Sequence, residues 1–239
     1  MKLGVITDIH SNLVALKVVV EKLQELQCDK IICCGDIIGI GPYPEETVQY
    51  LMQIPDLIAV RGNHEKYLLD EMPSEYPNEE HMGYEEMKHH KWEHSLLSKE
   101  SVDFLKNLPN KVIIKSEGYT LSVLHYCMDY DGHYINGKMN PDENDLKKMF
   151  SNVECDIVLY GHNHNRNICK SDKFYINVGS LGCPALDKNI ARAGIVNLEN
   201  ESIEIDLIDL EYDADKVIKA IDEINYPDAE NIKRYFYGV

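Results

Sequence analysis

Arginine is scarce in this chain, and basic residues as a whole are outnumbered. Among 239 residues there are four arginines, and 24 Lys and Arg face 41 Asp and Glu, which gives a formal net charge of −17. An acidic surface repels polyanions, so sequence-independent binding to long nucleic acid or to an acidic membrane is not expected. The shortage of arginine also limits the bidentate clamps that usually hold phosphate.

Two further absences concern cysteine and long apolar segments. The seven cysteines are an odd number with no C-x-x-C pair, which disfavours a disulfide framework and a zinc ribbon. No segment approaches the roughly 18 apolar residues of a membrane span. The apolar run that ends at Asp8 is too short for a secretion signal. We therefore predict a soluble, cytoplasmic protein without a membrane partner, and the oligomeric state stays open.

Hydrophobic periodicity predicts an α/β fold with a mostly parallel sheet at its start. Strands are predicted over 3–7, 30–34 and 57–60, with helices over 13–27, capped by Asn12, and from Pro44. Hairpins are predicted to pair 111–115 with 119–124, 167–170 with 174–177, and 193–198 with 203–210. A single strand is predicted over 156–160. In the last hairpin strand, Leu207 alternates with polar residues and is expected on the buried face.

Two regions read as helical additions to one domain that spans 1–239. The segment 66–110 is polar and rich in His and Glu, and it predicts a helical insertion over one sheet edge, with helices through Trp92 and over 99–107. Within it, His90 and His94 have helical spacing but imply no acidic third ligand, so a solvated helix face is favoured. Asn140 and the following proline predict a helix start. The tail, 213–239, predicts two helices.

Polar, metal-competent side chains follow five of the predicted strands. Each alone fits an ordinary turn or helix cap, but together they place half of the ten histidines at strand ends, beside Gly, Asp or Asn. Ligands of α/β sheets bind beyond the carboxyl ends of strands. We therefore expect one site to collect Asp8, His10, Asp36, Asn63, His64, His125, His162 and His164.

The residue types in this set narrow the choice of ion. Imidazole, carboxylate and amide ligands without cysteine suit Mn, Fe, Zn or Co. Two carboxylates, one amide and four imidazoles are too many ligands for one ordinary ion. Two ions that share a carboxylate would use them all, and such pairs lie about 3.5–4 Å apart in phosphoryl-transfer sites.

The ordered motifs resemble those of the calcineurin-like metallophosphoesterase superfamily. They are Asp8-x-His10, Gly35-Asp36, Gly62-Asn63-His64-Glu65, His125 and Gly161-His162-x-His164. The stretches 35–44 and 177–182 are similar to its small bacterial and archaeal phosphodiesterase-like branch. The resemblance implies a four-layer α/β/β/α sandwich of two mixed sheets with metals at one end.

The resemblance also implies roles for these residues. Asp8, His10 and His164 would hold one ion, Asn63, His125 and His162 the other, and Asp36 would bridge. A metal-bound hydroxide would attack phosphorus, and His64 would protonate the leaving oxygen or stabilise its charge. Glu65, where Asp is more common, would support a ligand or His64. Arg61, Tyr43 and Asn165 lie on adjacent loops and are candidate substrate contacts.

These features predict a dinuclear, metal-dependent phosphoesterase with two divalent or trivalent Mn, Fe or Zn ions. Its substrates would be small phosphodiesters or phosphomonoesters, with diesters or nucleotides slightly favoured. The alternatives are a dinucleoside polyphosphate hydrolase and a non-catalytic scaffold of the same fold. Two divalent ions would carry about +4, which exceeds the charge of Asp8 and Asp36 and replaces the missing arginines. The net charge then disfavours long nucleic acid but not a small phosphoester.

Overall fold

The computed structural model describes residues 1–78, 82–129, 132–135, 137–183, 187, 189–199, 202–224 and 226–239, apart from the side chains of residues 70 and 71. Ten strands are present in that part of the chain: β1 Lys2–Ile6, β2 Lys30–Cys33, β3 Ile58–Ala59, β4 Lys111–Ser116, β5 Tyr119–Leu124, β6 Ile157–Leu159, β7 Asn167–Lys170, β8 Phe174–Asn177, β9 Ile190–Glu199 and β10 Ser202–Glu211. The helices are α1 Leu13–Glu25, α2 Pro44–Met52, α3 Asn63–Lys66, α4 Tyr84–Leu96, α5 Lys99–Asn107, α6 Glu143–Met149, α7 Ala214–Glu223 and α8 Ala229–Ile232. Two π-helical turns, Tyr67–Glu71 and Lys233–Tyr237, continue α3 and α8.

The strands form two mixed sheets of five. One sheet has the order β10-β9-β1-β2-β3, and the other has the order β4-β5-β6-β8-β7. Strands β1, β2 and β3 are parallel in the first sheet, and β5, β6 and β8 are parallel in the second. The three predicted hairpins are confirmed, because β4–β5, β7–β8 and β9–β10 are antiparallel pairs.

Alternating side chains divide the core into layers. Leu3 and Val5 of β1 pack toward the second sheet, whereas Ile6 packs with the helices on the outer face. A separate cluster that includes Leu146 and Phe150 covers the far side of the second sheet. The order is therefore helix, sheet, sheet, helix, as the resemblance implied.

Two local predictions are wrong. Asp142, rather than Asn140, caps α6. Its side chain accepts a hydrogen bond from the Asp145 N–H, and the Asp145 side chain accepts one from the Asp142 N–H, which forms a capping box. Asn140 lies before the helix with a φ of +54°. Leu207 is 46% exposed, because near that end of β10 the helical layer covers the opposite face, where Ile208 and Leu210 pack.

No helix in the described ranges is both long and apolar enough to cross a bilayer. The cytoplasmic location stays a prediction.

Candidate metal centre

The predicted site residues meet at one end of the two sheets. Asp8 and His10 follow β1, Asp36 follows β2, and Asn63 opens α3 directly after β3. In the second sheet, His125 follows β5, and His162 and His164 follow β6. Within each sheet these strands are parallel, so their carboxyl ends lie together, and the packing of the two sheets brings both sets of side chains to one place.

One half of the site gathers around Asp8. The Nε2 atoms of His10 and His164 lie 3.9 Å and 3.6 Å from Asp8 Oδ1, and 2.9 Å from each other. Thr7 donates its hydroxyl hydrogen bond to Asp8 Oδ2 at 2.8 Å, which fixes the rotation of the carboxylate. These three side chains could hold one ion.

The second half gathers around Asn63. The carboxamide oxygen of Asn63 lies 3.1 Å from His125 Nε2 and 3.0 Å from His162 Nδ1. His125 directs Nδ1 to the Cys34 carbonyl oxygen at 2.8 Å, which assigns the proton to Nδ1 and leaves Nε2 free for an ion.

Asp36 lies between the two halves. Its Oδ2 atom is 3.1 Å from His125 Nε2 on one side and 3.8 Å from His10 Nε2 on the other. Its Oδ1 atom accepts a hydrogen bond from the His64 backbone N–H at 3.1 Å. The carboxylate thus lies within reach of imidazole nitrogens from both halves.

The backbone at these ligands is unusual. Left-handed φ values between +49° and +72° occur at Asp8, His10, Asp36, His162 and His164. Residues with side chains adopt this region at a cost of order 1–3 kcal/mol each when strained, although Asp and His tolerate it better than most. These backbone conformations therefore lower the stability of the fold, and they orient the five side chains toward one another.

Glu65 holds the Asp36 loop in place. Its carboxylate accepts backbone N–H hydrogen bonds from Asp36, Ile37, Ile38 and Gly62 at 2.6–3.1 Å, and its side chain is fully buried. Removing an acceptor that satisfies several buried donors costs more than the hydrogen bonds are worth in isolation. Glu65 therefore supports Asp36, one of the predicted ligands, through the Asp36 backbone.

Gly62 allows the Asp36 and Asn63 loops to approach each other. A Cβ atom at position 62 would lie 2.1 Å from Asp36 Oδ1 and 2.5 Å from the Asp36 backbone nitrogen. Only glycine leaves room for that contact, so the Gly-Asn-His motif carries a steric requirement in addition to its ligand.

His64 lies at the edge of the centre, where its ring is within reach of His10 and Asp36. Its Nε2 atom is 4.0 Å from Asp36 Oδ2, and 12% of its side chain is exposed. Burial lowers the pKa of His64 well below its ordinary value, and this effect outweighs the nearby Asp36 charge. The ring is consequently neutral at physiological pH and can serve as a hydrogen-bond donor.

The donor set fits metal cations. Asp8 and Asp36 are 0% and 2% exposed. In the described part of the chain, the basic side chains within 4.0 Å of their carboxylates are histidines, not Lys or Arg. Buried carboxylates require a compensating charge. The pKa of His10 is lowered to about 3 and that of His162 to about 4, mainly by burial, so these rings are neutral ligands rather than counter-ions. Two cations would supply the missing charge.

Metal loading should release at least one proton per chain near neutral pH. Burial acts to lower the pKa of His125, but the charge and hydrogen bond of Asp36 raise it to about 9 in the metal-free protein. His125 is therefore protonated below that pH and must lose its proton to bind an ion, so metal affinity should rise with pH up to about 9. Calorimetric titration with Zn²⁺ in buffers of different ionisation enthalpy measures the release. Loading without proton release at about pH 7 would contradict this assignment.

The three predicted substrate contacts have other partners. The Arg61 guanidinium donates to the carbonyl oxygens of Leu108 and Lys106 at 2.7 Å and 2.9 Å, so it ties the β3 loop to the end of α5, and its phosphate contact stays a prediction. The Tyr43 hydroxyl lies 3.5 Å from the Lys216 carbonyl oxygen of α7. Asn165 donates to Asn140 at 3.1 Å on an exposed loop. Roles for Tyr43 and Asn165 stay predictions.

The prediction of a solvated face at His90 and His94 is wrong for His90. His89, His90 and Glu93 of α4 are at most 3% exposed, because α4 packs against the site loops and against Tyr226 near the C-terminus. Glu93 Oε1 accepts from the Ser11 hydroxyl at 2.8 Å and from the Gly39 N–H at 2.6 Å. The sequence signal that could have revealed this buried polar cluster is the placement of Glu93 three residues after His90.

Comparisons with known proteins show what the chain as a whole is similar to. The chain is 26% identical over 242 residues to the uncharacterized protein MJ0912 of Methanocaldococcus jannaschii, covering 95% of this chain and 94% of that one. Its fold matches a metallophosphoesterase from Sphaerobacter thermophilus with a TM-score of 0.74, 22% identity and coverage of 99% and 98% of the two chains. It also matches the hypothetical protein PH1004 of Pyrococcus horikoshii with a TM-score of 0.83, 20% identity and coverage of 98% and 97%.

The family comparison covers most of the chain and every residue of the proposed centre. Residues 1–201 match the sequence model of the calcineurin-like phosphoesterase superfamily domain. The chain therefore belongs to the calcineurin-like phosphoesterase superfamily, and its His and Asp clusters are consistent with metal-dependent phosphoester hydrolysis.

Proposed function

We propose that the protein is a dinuclear metal-dependent phosphoesterase that hydrolyses small phosphodiesters, and phosphomonoesters less well. The observation that carries the proposal is the position of Asp36, whose Oδ2 atom lies within 3.8 Å of imidazole nitrogens from both halves of the centre. The proposed ions are Mn, Fe or Zn, which imidazole, carboxylate and amide ligands accept.

We assign the ligands as the motifs predict. Asp8, His10 and His164 would hold one ion, and Asn63, His125 and His162 the other, with Asp36 shared. When bound, the two ions would supply Lewis-acid chemistry, neutralising charge on the phosphoryl oxygens and making water acidic enough to act as a nucleophile.

The chain's own contribution to the reaction is orientation and hydrogen bonding. His64 presents Nε2 at the edge of the centre, where a leaving oxygen would emerge, and can donate a hydrogen bond or proton to it. The ring is held by a close fit, because a Cβ atom at Gly39 would lie 2.1 Å from His64 Nδ1. Glu65 and Thr7 fix the carboxylates that receive the ions.

A cavity of about 310 Å³ beside His64 supports an organic ester group as the remainder of the substrate. Its apolar and aromatic walls include Ile40, Ile232 and Phe236, and its acidic members are Glu86 and Asp228. No Lys or Arg is among the described residues that line it. Such walls favour an uncharged or cationic ester group over further phosphates, so the cavity weighs against a dinucleoside polyphosphate.

The test compares three substrates with the Mn²⁺-loaded protein. We expect bis(p-nitrophenyl) phosphate to be hydrolysed with a higher kcat/KM than p-nitrophenyl phosphate, and diadenosine tetraphosphate to be the poorest substrate. A preference for the tetraphosphate, with two ADP or ATP plus AMP as products, would establish the alternative hydrolase. If the wild-type rate on every substrate were no greater than that of Asp36→Asn, the enzyme assignment would fail in favour of a scaffold.

A further inference from the structure

A second group of metal-competent side chains lies on α4, outside the centre described above. His90, Glu93 and His94 stand at positions i, i+3 and i+4 of the helix, and one donor atom from each lies within 4.8 Å of the others. Residues at these spacings share one helix face. His90 and Glu93 are 1% and 0% exposed.

Four buried polar atoms of this group lack hydrogen bonds within the described residues. They are both ring nitrogens of His90, Glu93 Oε2 and His94 Nε2. Such groups are rare in folded proteins and call for a specific cause, since each unsatisfied group costs about 1–3 kcal/mol. An ion among them would satisfy three of these atoms at once.

We propose that His90, Glu93 and His94 form a mononuclear zinc site that is separate from the dinuclear centre. His90 Nδ1 lies 3.9 Å from Glu93 Oε2, too far for a hydrogen bond. Ligands of one tetrahedral zinc ion with bonds of about 2.1 Å are separated by about 3.4 Å, so small side-chain rotations bring these atoms into range. Two imidazoles and one carboxylate are a common zinc set, with the fourth position left for water.

The surroundings of His90 fit this assignment. With Nδ1 on the ion, its Nε2 faces Glu86 Oε1 at 4.0 Å, one turn back along α4. Histidines that bind metals usually direct the other ring nitrogen to a carboxylate or carbonyl, which fixes the tautomer. Glu86 would take that position once a side-chain rotation brings its carboxylate within hydrogen-bond distance.

The site would attach the insertion to the catalytic end of the sheets. Glu93 would bind zinc through Oε2 while Oε1 accepts hydrogen bonds from Ser11 and Gly39. Ser11 follows the ligand His10, and Gly39 contacts the His64 ring. One carboxylate would thus connect the zinc ion on α4 to both loops, and this positioning role does not depend on the proposed hydrolysis.

Zinc stoichiometry tests the proposal. After equilibrium dialysis against Zn²⁺ alone, wild-type protein should hold one more ion per chain than His94→Gln, by elemental analysis. His94 is the least buried member, so His94→Gln and His94→Ala should both fold, and circular dichroism in EDTA checks this. His133→Gln, which alters a histidine whose side chain is 73% exposed, should bind as wild type does.

The same comparison in an Asp36→Asn background separates the two sites. One zinc ion should remain on α4 when the dinuclear centre is impaired, and His94→Gln should remove it. The proposal is overturned if the His94 variants hold as much zinc as their parents in both backgrounds. If Asp36→Asn itself held as much zinc as the wild type while the His94 variants still lost one ion, the α4 site would stand and the dinuclear assignment would be refuted.

Discussion

Asp36→Asn is expected to lower the hydrolysis of bis(p-nitrophenyl) phosphate by at least about 10³-fold, because several kcal/mol of Lewis-acid stabilisation depend on the shared carboxylate. Asparagine can keep the hydrogen bond from the His64 N–H through its oxygen. It has no second anionic oxygen to offer to an ion, so the variant should fold but bind metal poorly. Steady-state rates and elemental analysis of the same samples measure both effects.

Asp103→Asn is the matched control for this substitution. Asp103 is exposed on α5, and its replacement changes the net charge by the same amount. It should retain wild-type rates and metal content. The bridging role would be contradicted if Asp36→Asn kept two ions at the centre and more than about a tenth of the wild-type rate.

His64→Gln is expected to lower kcat by about 10²–10⁴-fold for diesters with basic leaving groups, which is the usual contribution of a positioned acid or hydrogen-bond donor. Metal content should be unchanged, since the proposed ligand set does not include His64. The loss should be much smaller for p-nitrophenolate, which leaves without assistance. A plot of rate against leaving-group pKa, for wild type and variant, measures this difference.

His133→Gln serves as the matched control for His64, and its plot should coincide with that of the wild type. An equal loss for His64→Gln with every leaving group would assign His64 to binding or structure instead. Because burial holds the pKa of His64 low, the wild-type rate should not decline through the ordinary histidine range as that ring loses a proton. This favours a neutral donor over a protonated acid.

The location of the centre could be predicted from the sequence because two simple rules coincide there. Apolar runs identify the strands, and parallel strands present their carboxyl ends together, so Asp8 and Asp36 were expected to meet at one end of their sheet. His125 follows a strand of the other sheet, and its approach depends on how the two sheets pack. The four-layer arrangement came from the family resemblance, since no local pattern shows which sheet face meets the other sheet.

The backbone geometry of the ligands could not be predicted in the same way. Nothing in the local sequence requires a left-handed φ at Asp8, His10 or His162, and the conformation is imposed by contacts between distant loops. The His162 N–H, for example, donates to Asp8 Oδ1 at 3.0 Å across 154 residues. Tertiary contacts of this kind are not encoded in local propensity.

The burial of α4 was missed for a related reason. The helix has no continuous apolar stripe, and polar residues such as His90 and Glu93 occupy its buried face. Tyr226 covers part of this helix by contacting His89 and Trp92, and it lies more than 130 residues later in the chain. A polar helix face is read as solvated unless its tertiary partner is known.

The most direct test of the dinuclear centre is an anomalous-difference map of crystals of the Mn²⁺-loaded protein grown with phosphate. Two manganese peaks should flank Asp36 Oδ2 about 3.5–4 Å apart, with phosphate on both ions and one of its oxygens facing His64 Nε2. A single peak at Asp36, or two ions with phosphate bound elsewhere, would contradict the proposed centre.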